Sequence, residues 1–182
     1  MALIIEDGTG ISNADSYQYL ADARVTATNY GITLPADDIE AEVSLRQGYL
    51  NLLNQEKTLQ GRRTHTTQNN VYPRDGVYNN CAEVDSESIP NEIKMAQLYA
   101  AEAISSGYSQ NSVDTGQDLK SFNVDGVYSE TYQDNASTKT NATIQGVYNS
   151  LYPLTKAGFA SSPCGGGSSN QLTRDNYRSW WI

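Results

Sequence analysis

Ile39, Val43, Arg46, Leu50 and Leu53 succeed one another at alternating steps of four and three residues. A helix gathers that spacing on one side, because its 3.6-residue turn returns to the same face every three or four positions. Leu45, Tyr49 and Leu52 widen the stripe, and Asp37 and Asp38 stand where carboxylates complement the dipole of a helix start. Three more stripes share this period. Near residues 15–30, Tyr17, Leu20, Ala21, Ala27 and Thr28 lie close to one face. Asp15 and Gln18 have the spacing of a capping box ahead of it, and Gly31 suits a left-handed stop. Ile89-Pro90 opens a third helix carrying Ile93, Ala96, Ala100 and Ala103, widened by Leu98, Ala101 and Ile104 and ended by Gly107. Its small alanines permit close approach of a neighbouring helix. Asn141 is the expected N-cap of a fourth, in which Ile144, Val147, Tyr148 and Leu151 fall at i, i+3, i+4 and i+7 until Pro153 limits it.

The segments between the stripes are polar. Leu119–Val124 and Val127–Tyr132 flank Asp125-Gly126, a pair that tolerates the positive φ of a type I′ turn, so a β-hairpin is expected near 119–132. Leu59 to Gly76 reads as an Asn/Thr-rich loop. From Ser161 the character changes to Ser161-Ser162-Pro163-Cys164-Gly165-Gly166-Gly167-Ser168-Ser169, a flexible tether whose ten or so residues span on the order of 16–19 Å. The fold class expected is mainly α: a small bundle of about four helices with a protruding β-hairpin and an extended C-terminal tail. The expected division is a helical domain over 1–160 and a tether with docking tail over 161–182.

Both Trp of the chain, Trp180 and Trp181, lie in that tail. A Trp that stabilises a core normally sits within a periodic element. Behind a Gly/Ser tether, Leu172, Arg174, Tyr177, Arg178, Trp180, Trp181 and Ile182 read instead as anchors for another subunit or a partner, since Trp, Tyr and Arg dominate interface energetics. Docking onto the chain's own domain is the other reading that the spacing allows.

Composition and motifs remove several function classes. Net charge is -9, which opposes an overall basic nucleic-acid footprint. No apolar run approaches the roughly 20 residues of a membrane span, and the start lacks a secretory pattern. An intracellular chain is expected from this, with Cys81 and Cys164 as reduced thiols. His65 is the only His and sits in a polar stretch without a nucleophile elbow, so a solvated loop histidine is expected. One His and two distant Cys give no zinc spacing, and no phosphate-cradling glycine motif is present. Asp37–Glu42 and Glu83–Glu87 read as caps and solvated faces. No catalytic residue, metal or cofactor is expected. Arg62, Arg63 and Arg74 with Tyr72 form the one cluster that could contact a phosphate backbone, Tyr72 stacking on a base of a single strand; local ion pairing is its other reading.

The order of short motifs resembles the small head–tail connector proteins (adaptor, or head-completion proteins) of tailed bacteriophages, a group often labelled DnaT-like single-stranded DNA-binding proteins. The residues that carry the resemblance are Leu3-Ile4-Ile5-Glu6-Asp7-Gly8-Thr9-Gly10, Asn13-Ala14-Asp15-Ser16-Tyr17 and Leu20-Ala21-Asp22-Ala23. They continue with Gly61-Arg62-Arg63, Tyr72-Pro73-Arg74-Asp75-Gly76, Ile89-Pro90-Asn91-Glu92-Ile93-Lys94-Met95-Ala96, and Leu119-Lys120-Ser121 through Gly126-Val127-Tyr128 and Tyr132. Tyr72 stands where relatives usually carry Trp. The resemblance covers roughly residues 1–155 and leaves out the tail.

It implies a ring, commonly of twelve copies, bridging the portal to the tail proteins at the head–tail interface of a virion assembled in the host cytoplasm. Double-stranded DNA would pass through the channel without sequence recognition, and no membrane would be involved. An acidic protein suits a lumen through which DNA slides, because like charge disfavours sticking. The group's label gives the alternative, a single-stranded DNA-binding module using Arg62, Arg63, Tyr72 and Arg74.

Overall fold

A computed structural model describes residues 2–108 and 144–164, together with the backbone of 121–124 and 128–131. Five α-helices are present among them: α1 (Leu20–Tyr30), α2 (Asp38–Asn54), α3 (Asn91–Ser105), α4 (Gln145–Leu151) and α5 (Lys156–Ser161). Single 3-10 turns at Glu56–Thr58 and Tyr152–Leu154 follow α2 and α4. Three two-stranded antiparallel pairs complete the set: β1 (Arg62–Arg63) with β2 (Arg74–Asp75), β3 (Tyr78–Asn79) with β4 (Ala82–Glu83), and β5 (Ser121–Val124) with β6 (Tyr128–Thr131). The architecture is mainly α, as expected. No helix among the described residues is long and apolar enough to cross a membrane.

The helix boundaries follow local chemistry with one exception. The Asp37 carboxylate accepts the N–H of Ile39 at 2.9 Å and of Glu40 at 3.0 Å, giving α2 its start. Gly31 closes α1 in the left-handed region, at φ 69°. The capping box expected at Asp15 and Gln18 does not form. Helix α1 begins at Leu20, and Asp15 is drawn away by the Ile4 N–H (2.7 Å) and the Arg46 guanidinium (2.7 Å). A charged hydrogen bond to Arg46 outweighs a cap that could serve only one orphan N–H.

Helices α2 and α3 form the spine of the fold. Gly48 is what lets them approach: a Cβ there would lie 2.6 Å from the Gln97 carbonyl oxygen on α3. Beside it the Gln97 side chain is fully buried and satisfied, accepting the Tyr17 N–H (3.1 Å) and donating to Ser16 Oγ (2.9 Å) and the Leu45 carbonyl (3.0 Å). One apolar cluster joins Tyr17, Tyr49, Leu52, Leu59, Val71 and Tyr72 to Ile93, Ala96, Val147, Leu151 and Leu154. A second, between α1, α2 and α3, holds Ala23, Ala27, Ile32, Leu45, Leu98 and Ala101. Tyr99 packs against both.

The α2 stripe faces the wrong way for the expected core. Ala41, Ser44, Leu45, Gly48, Tyr49 and Leu52 are buried, whereas Ile39, Val43 and Leu50 are 68%, 44% and 52% exposed. On α1 the buried residues are Ala23 and Ala27, while Ala21 and Thr28 face outward.

Other expectations change in detail. The 119–132 hairpin exists, but Val124 pairs with Tyr128, so three residues rather than two connect the strands; the expected turn residues Asp125 and Gly126 lie outside the described residues. Helix α4 starts after Ile144, and the expected cap Asn141 also lies outside them. Helix α5 and the pairs β1–β2 and β3–β4 had no sequence signal. Cys81 and Cys164, expected as reduced thiols, are joined as a disulfide, their Cα atoms 5.6 Å apart, well inside the span that a disulfide bridges. The fold brings the β3–β4 turn to the end of α5, and 83 positions of sequence collapse to that one contact.

Candidate functional site

The arginine cluster is ordered by the pleat of β1 and β2. Successive strand residues point to opposite faces, and the register sets Arg62 against Asp75 and Arg63 against Arg74. Arg63 and Arg74 therefore share one face and Arg62 takes the other. On the inner face, Arg63 grips the carboxylate of Glu56 through Nε (2.7 Å to Oε1) and Nη2 (2.6 Å to Oε2), and donates from Nη1 to the Gln68 carbonyl at 2.9 Å. Arg74 lies deeper, 4% exposed. Its guanidinium donates to the carbonyls of Gln60 (2.7 Å), Gly61 (2.8 Å) and Val71 (3.2 Å), and its Nη1 lies 3.5 Å from Glu56. The hydrogen bonds from Arg63 hold the Glu56 carboxyl below its ordinary pKa, and the same bonds raise that of Arg63.

Gly61 is required at the start of β1. It sits at φ 62°, and a Cβ would come within 2.0 Å of the Asp75 carbonyl oxygen. The Gly61-Arg62-Arg63 and Arg74-Asp75-Gly76 motifs are thus a tight crossing of two strands stapled by guanidinium groups.

Tyr72 is fully buried, its hydroxyl enclosed without a hydrogen-bond partner, and burial raises its pKa. A ring so placed has no face free for a base. Arg62 alone of the four points outward, its side chain 84% exposed and paired at 3.2 Å with Asp75. The structure therefore brings Arg63, Arg74 and Tyr72 together on the inner side of the crossing, Arg63 a third exposed, and engages both arginines in local ion pairs. A screened, exposed pair such as Arg62–Asp75 adds little to stability.

Under this crossing lies a polar knot that sequence reasoning missed. The buried Glu6 carboxylate accepts the N–H groups of Gly8 and Gly10, each at 2.9 Å, and a short bond from the Asn70 amide. Asn70 in turn accepts the Tyr49 hydroxyl, and the Tyr17 hydroxyl accepts the N–H groups of Val71 (3.2 Å) and Tyr72 (3.3 Å). Burial raises the pKa of both Tyr17 and Tyr49. The available signal was Glu6-Asp7-Gly8-Thr9-Gly10, where a carboxylate precedes glycine N–H groups by two and four residues. With its oxygens occupied on both sides, Glu6 binds the N-terminal segment to the 68–72 loop.

His65 is half-buried rather than solvated. Its ring lies against Gly10, where a Cβ would approach to 2.4 Å, and its Nε2 is enclosed without a hydrogen-bond partner. Among the described residues no three His, Cys, Asp or Glu side chains converge as metal ligands. The expected anchors Leu172, Arg174, Tyr177, Arg178, Trp180, Trp181 and Ile182 lie outside the described residues.

The clearest outward feature is apolar. Around α1, Tyr19, Val25 and Tyr30 are exposed by 63%, 62% and 65%, and on α2 Ile39, Val43 and Leu50 form the stripe described above. Exposed large apolar side chains on two neighbouring helices offer surface for another protein to cover.

A family model described as "Putative DnaT-like ssDNA binding protein" matches residues 1–175. No curated protein and no solved structure matches the chain.

Proposed function

The chain belongs to the DnaT-like ssDNA-binding protein family, and within it we propose that this member acts as a structural adaptor, assembling with itself and with a portal at a phage head–tail junction. The observation that carries this reading is the outer surface of the first two helices. Six large apolar side chains, Tyr19, Val25, Tyr30, Ile39, Val43 and Leu50, stand exposed there, on a chain of net charge -9. Such a face suits protein contacts and offers nothing to a phosphate backbone, which needs clustered free cations. The motif order described above supports the same reading, since it resembles the connector proteins. A patch on one side of a subunit that fits a different patch on its neighbour closes into a ring when the rotation allows.

The experiment is to change Tyr19, Val25 and Tyr30 together to Ser and to measure mass by light scattering. These side chains are exposed, so the fold should persist. The adaptor reading expects the parent to assemble, alone or on a portal, and the variant to remain a monomer. Equal assembly by both would remove the apolar face as the contact.

Single-stranded DNA binding is the second reading, and the description of the family favours it. It would have to use cations other than Arg63 and Arg74, which are bound internally. Affinity falling steeply with salt would support it.

A further inference from the structure

We propose that the chain's own C-terminal segment, residues 172–182, seats on the Ile39–Val43–Leu50 stripe of α2 and covers it in the free protein. The three side chains fall within one helical face about 16 Å long, from the 1.5 Å rise per residue, with the Arg46 stem between them. The three are exposed, while the Arg46 guanidinium turns aside to Asp15 and the Ala2 carbonyl.

Three observations select the occupant. The first is chemistry. Residues 172–182 carry Leu172, Tyr177, Trp180, Trp181 and Ile182 within eleven positions, the residue types that fill apolar grooves with most energy per side chain.

The second is charge. The start of α2 carries Asp37, Asp38, Glu40 and Glu42 around Ile39 and Val43. Asp38 pairs with Arg24 and Glu42 with Arg46; Glu40 and the Asp37 cap add further negative charge, and the segment brings Arg174 and Arg178 against a single Asp175. Subtracting those two Arg and one Asp from the whole-chain counts of 12 basic and 21 acidic residues leaves net -10 on residues 1–164. The segment thus carries a net charge of +1 against an acidic body.

The third is reach. The segment springs from Cys164, which the disulfide fixes to the β3–β4 turn. Helix α5 begins beside the turn that follows α2, Lys156 Nζ donating to the Lys57 carbonyl at 3.0 Å. Eighteen residues follow Cys164; they extend at most about 60 Å and average about 21–25 Å end to end. A body of 164 residues is about 40 Å across, so the stripe lies within range. A tether of this length keeps the anchor at an effective concentration on the order of millimolar beside its own stripe. That favours the same chain over a second copy in dilute solution.

The inference does not depend on the adaptor reading, and its test uses the isolated full-length protein. Trp180 and Trp181 are the only Trp in the chain, so tryptophan fluorescence reports the segment alone. Wild type should emit to the blue of a synthetic peptide of residues 165–182 and resist acrylamide, equally at all concentrations that leave the protein monomeric. Ile39→Ser, Val43→Ser and Leu50→Ser combined should lose the shift and the protection while the circular-dichroism melt stays in place. Peptide-like emission from wild type would overturn the proposal. So would a blue shift that survives the triple change, or one that disappears on dilution of the wild type, which would place the segment on another copy. Failure of the adaptor experiment would leave these readings untouched, because it changes α1 only.

Discussion

Arg63 and Glu56 meet through two parallel bonds of 2.7 and 2.6 Å, at the turn where α2 gives way to the β1–β2 crossing. This pair, each side chain about a third exposed, uses one of the chain's twelve basic groups to fix the end of α2. Arg74 does the same for three carbonyls of the neighbouring loop.

Glu56 is about a third exposed, so solvent screening limits what the pair contributes, and Glu56→Gln should cost about 1–2 kcal/mol near neutral pH. The sign of its pH dependence follows from the lowered folded pKa. Above the ordinary value of 4.5 the stabilisation is present in full, and it is lost as pH falls through the lower folded value, where the native carboxylate takes up its proton. Urea unfolding of wild type and variant should therefore show a gap at neutral pH that narrows on acidification. A gap independent of pH would count against the pairing.

Arginine substitutions should separate by strand face. Arg62→Ala removes an exposed side chain and should move stability by no more than about 0.5 kcal/mol. Arg74→Ala strands the Gln60, Gly61 and Val71 carbonyls and should cost about 1–3 kcal/mol or more. Thermal melts of the two variants decide the matter. Single-stranded DNA affinity of the folded Arg62 variant then tests the second functional reading without the confusion of a damaged fold. Equal melts for the two would place Arg74 at the surface.

Tyr17, Tyr49 and Tyr72 should ionise late. Burial raises all three above the ordinary value of 10.0, so the stability tied to their neutral form is complete below that value and drains away as pH rises above it. In an absorbance titration at tyrosinate wavelengths, at least these three of the 13 Tyr should appear only as the fold opens. Tyr17→Phe should itself cost about 1–3 kcal/mol, because the Val71 and Tyr72 N–H groups lose their acceptor. Complete ionisation with native circular dichroism would contradict the buried placement.

The Cys81–Cys164 link closes 83 positions of sequence. Constraining a loop of that size in the unfolded chain is worth about 4–5 kcal/mol in the entropic model. Cys81→Ser with Cys164→Ser should lower the melting temperature, and reducing agent should do the same to wild type but not to the double variant. Insensitivity of the wild type to reductant would show that the link adds nothing.

What could be read from the sequence followed from periodicity and caps. The spans of α2 and α3, the Asp37 cap and the Gly31 stop all came through, because each rests on contacts within a few residues. The buried face of α2 did not. A helix that packs closely turns its small residues inward, and Ala41, Ser44 and Gly48 carry too little apolar weight to outbid Ile39, Val43 and Leu50 in a hydropathy pattern. The partners of Arg63 and Arg74 were not legible for a related reason: residue type shows that a guanidinium needs acceptors, and here a remote glutamate and loop carbonyls supply them. The Cys81–Cys164 pairing is a product of tertiary structure alone.

Electron microscopy of the purified protein, alone and mixed with a portal protein, bears most directly on the adaptor reading. The account predicts closed rings coaxial with the portal that are lost when Tyr19, Val25 and Tyr30 become Ser. A monomer that ignores the portal and binds single-stranded DNA with steep salt dependence would contradict it.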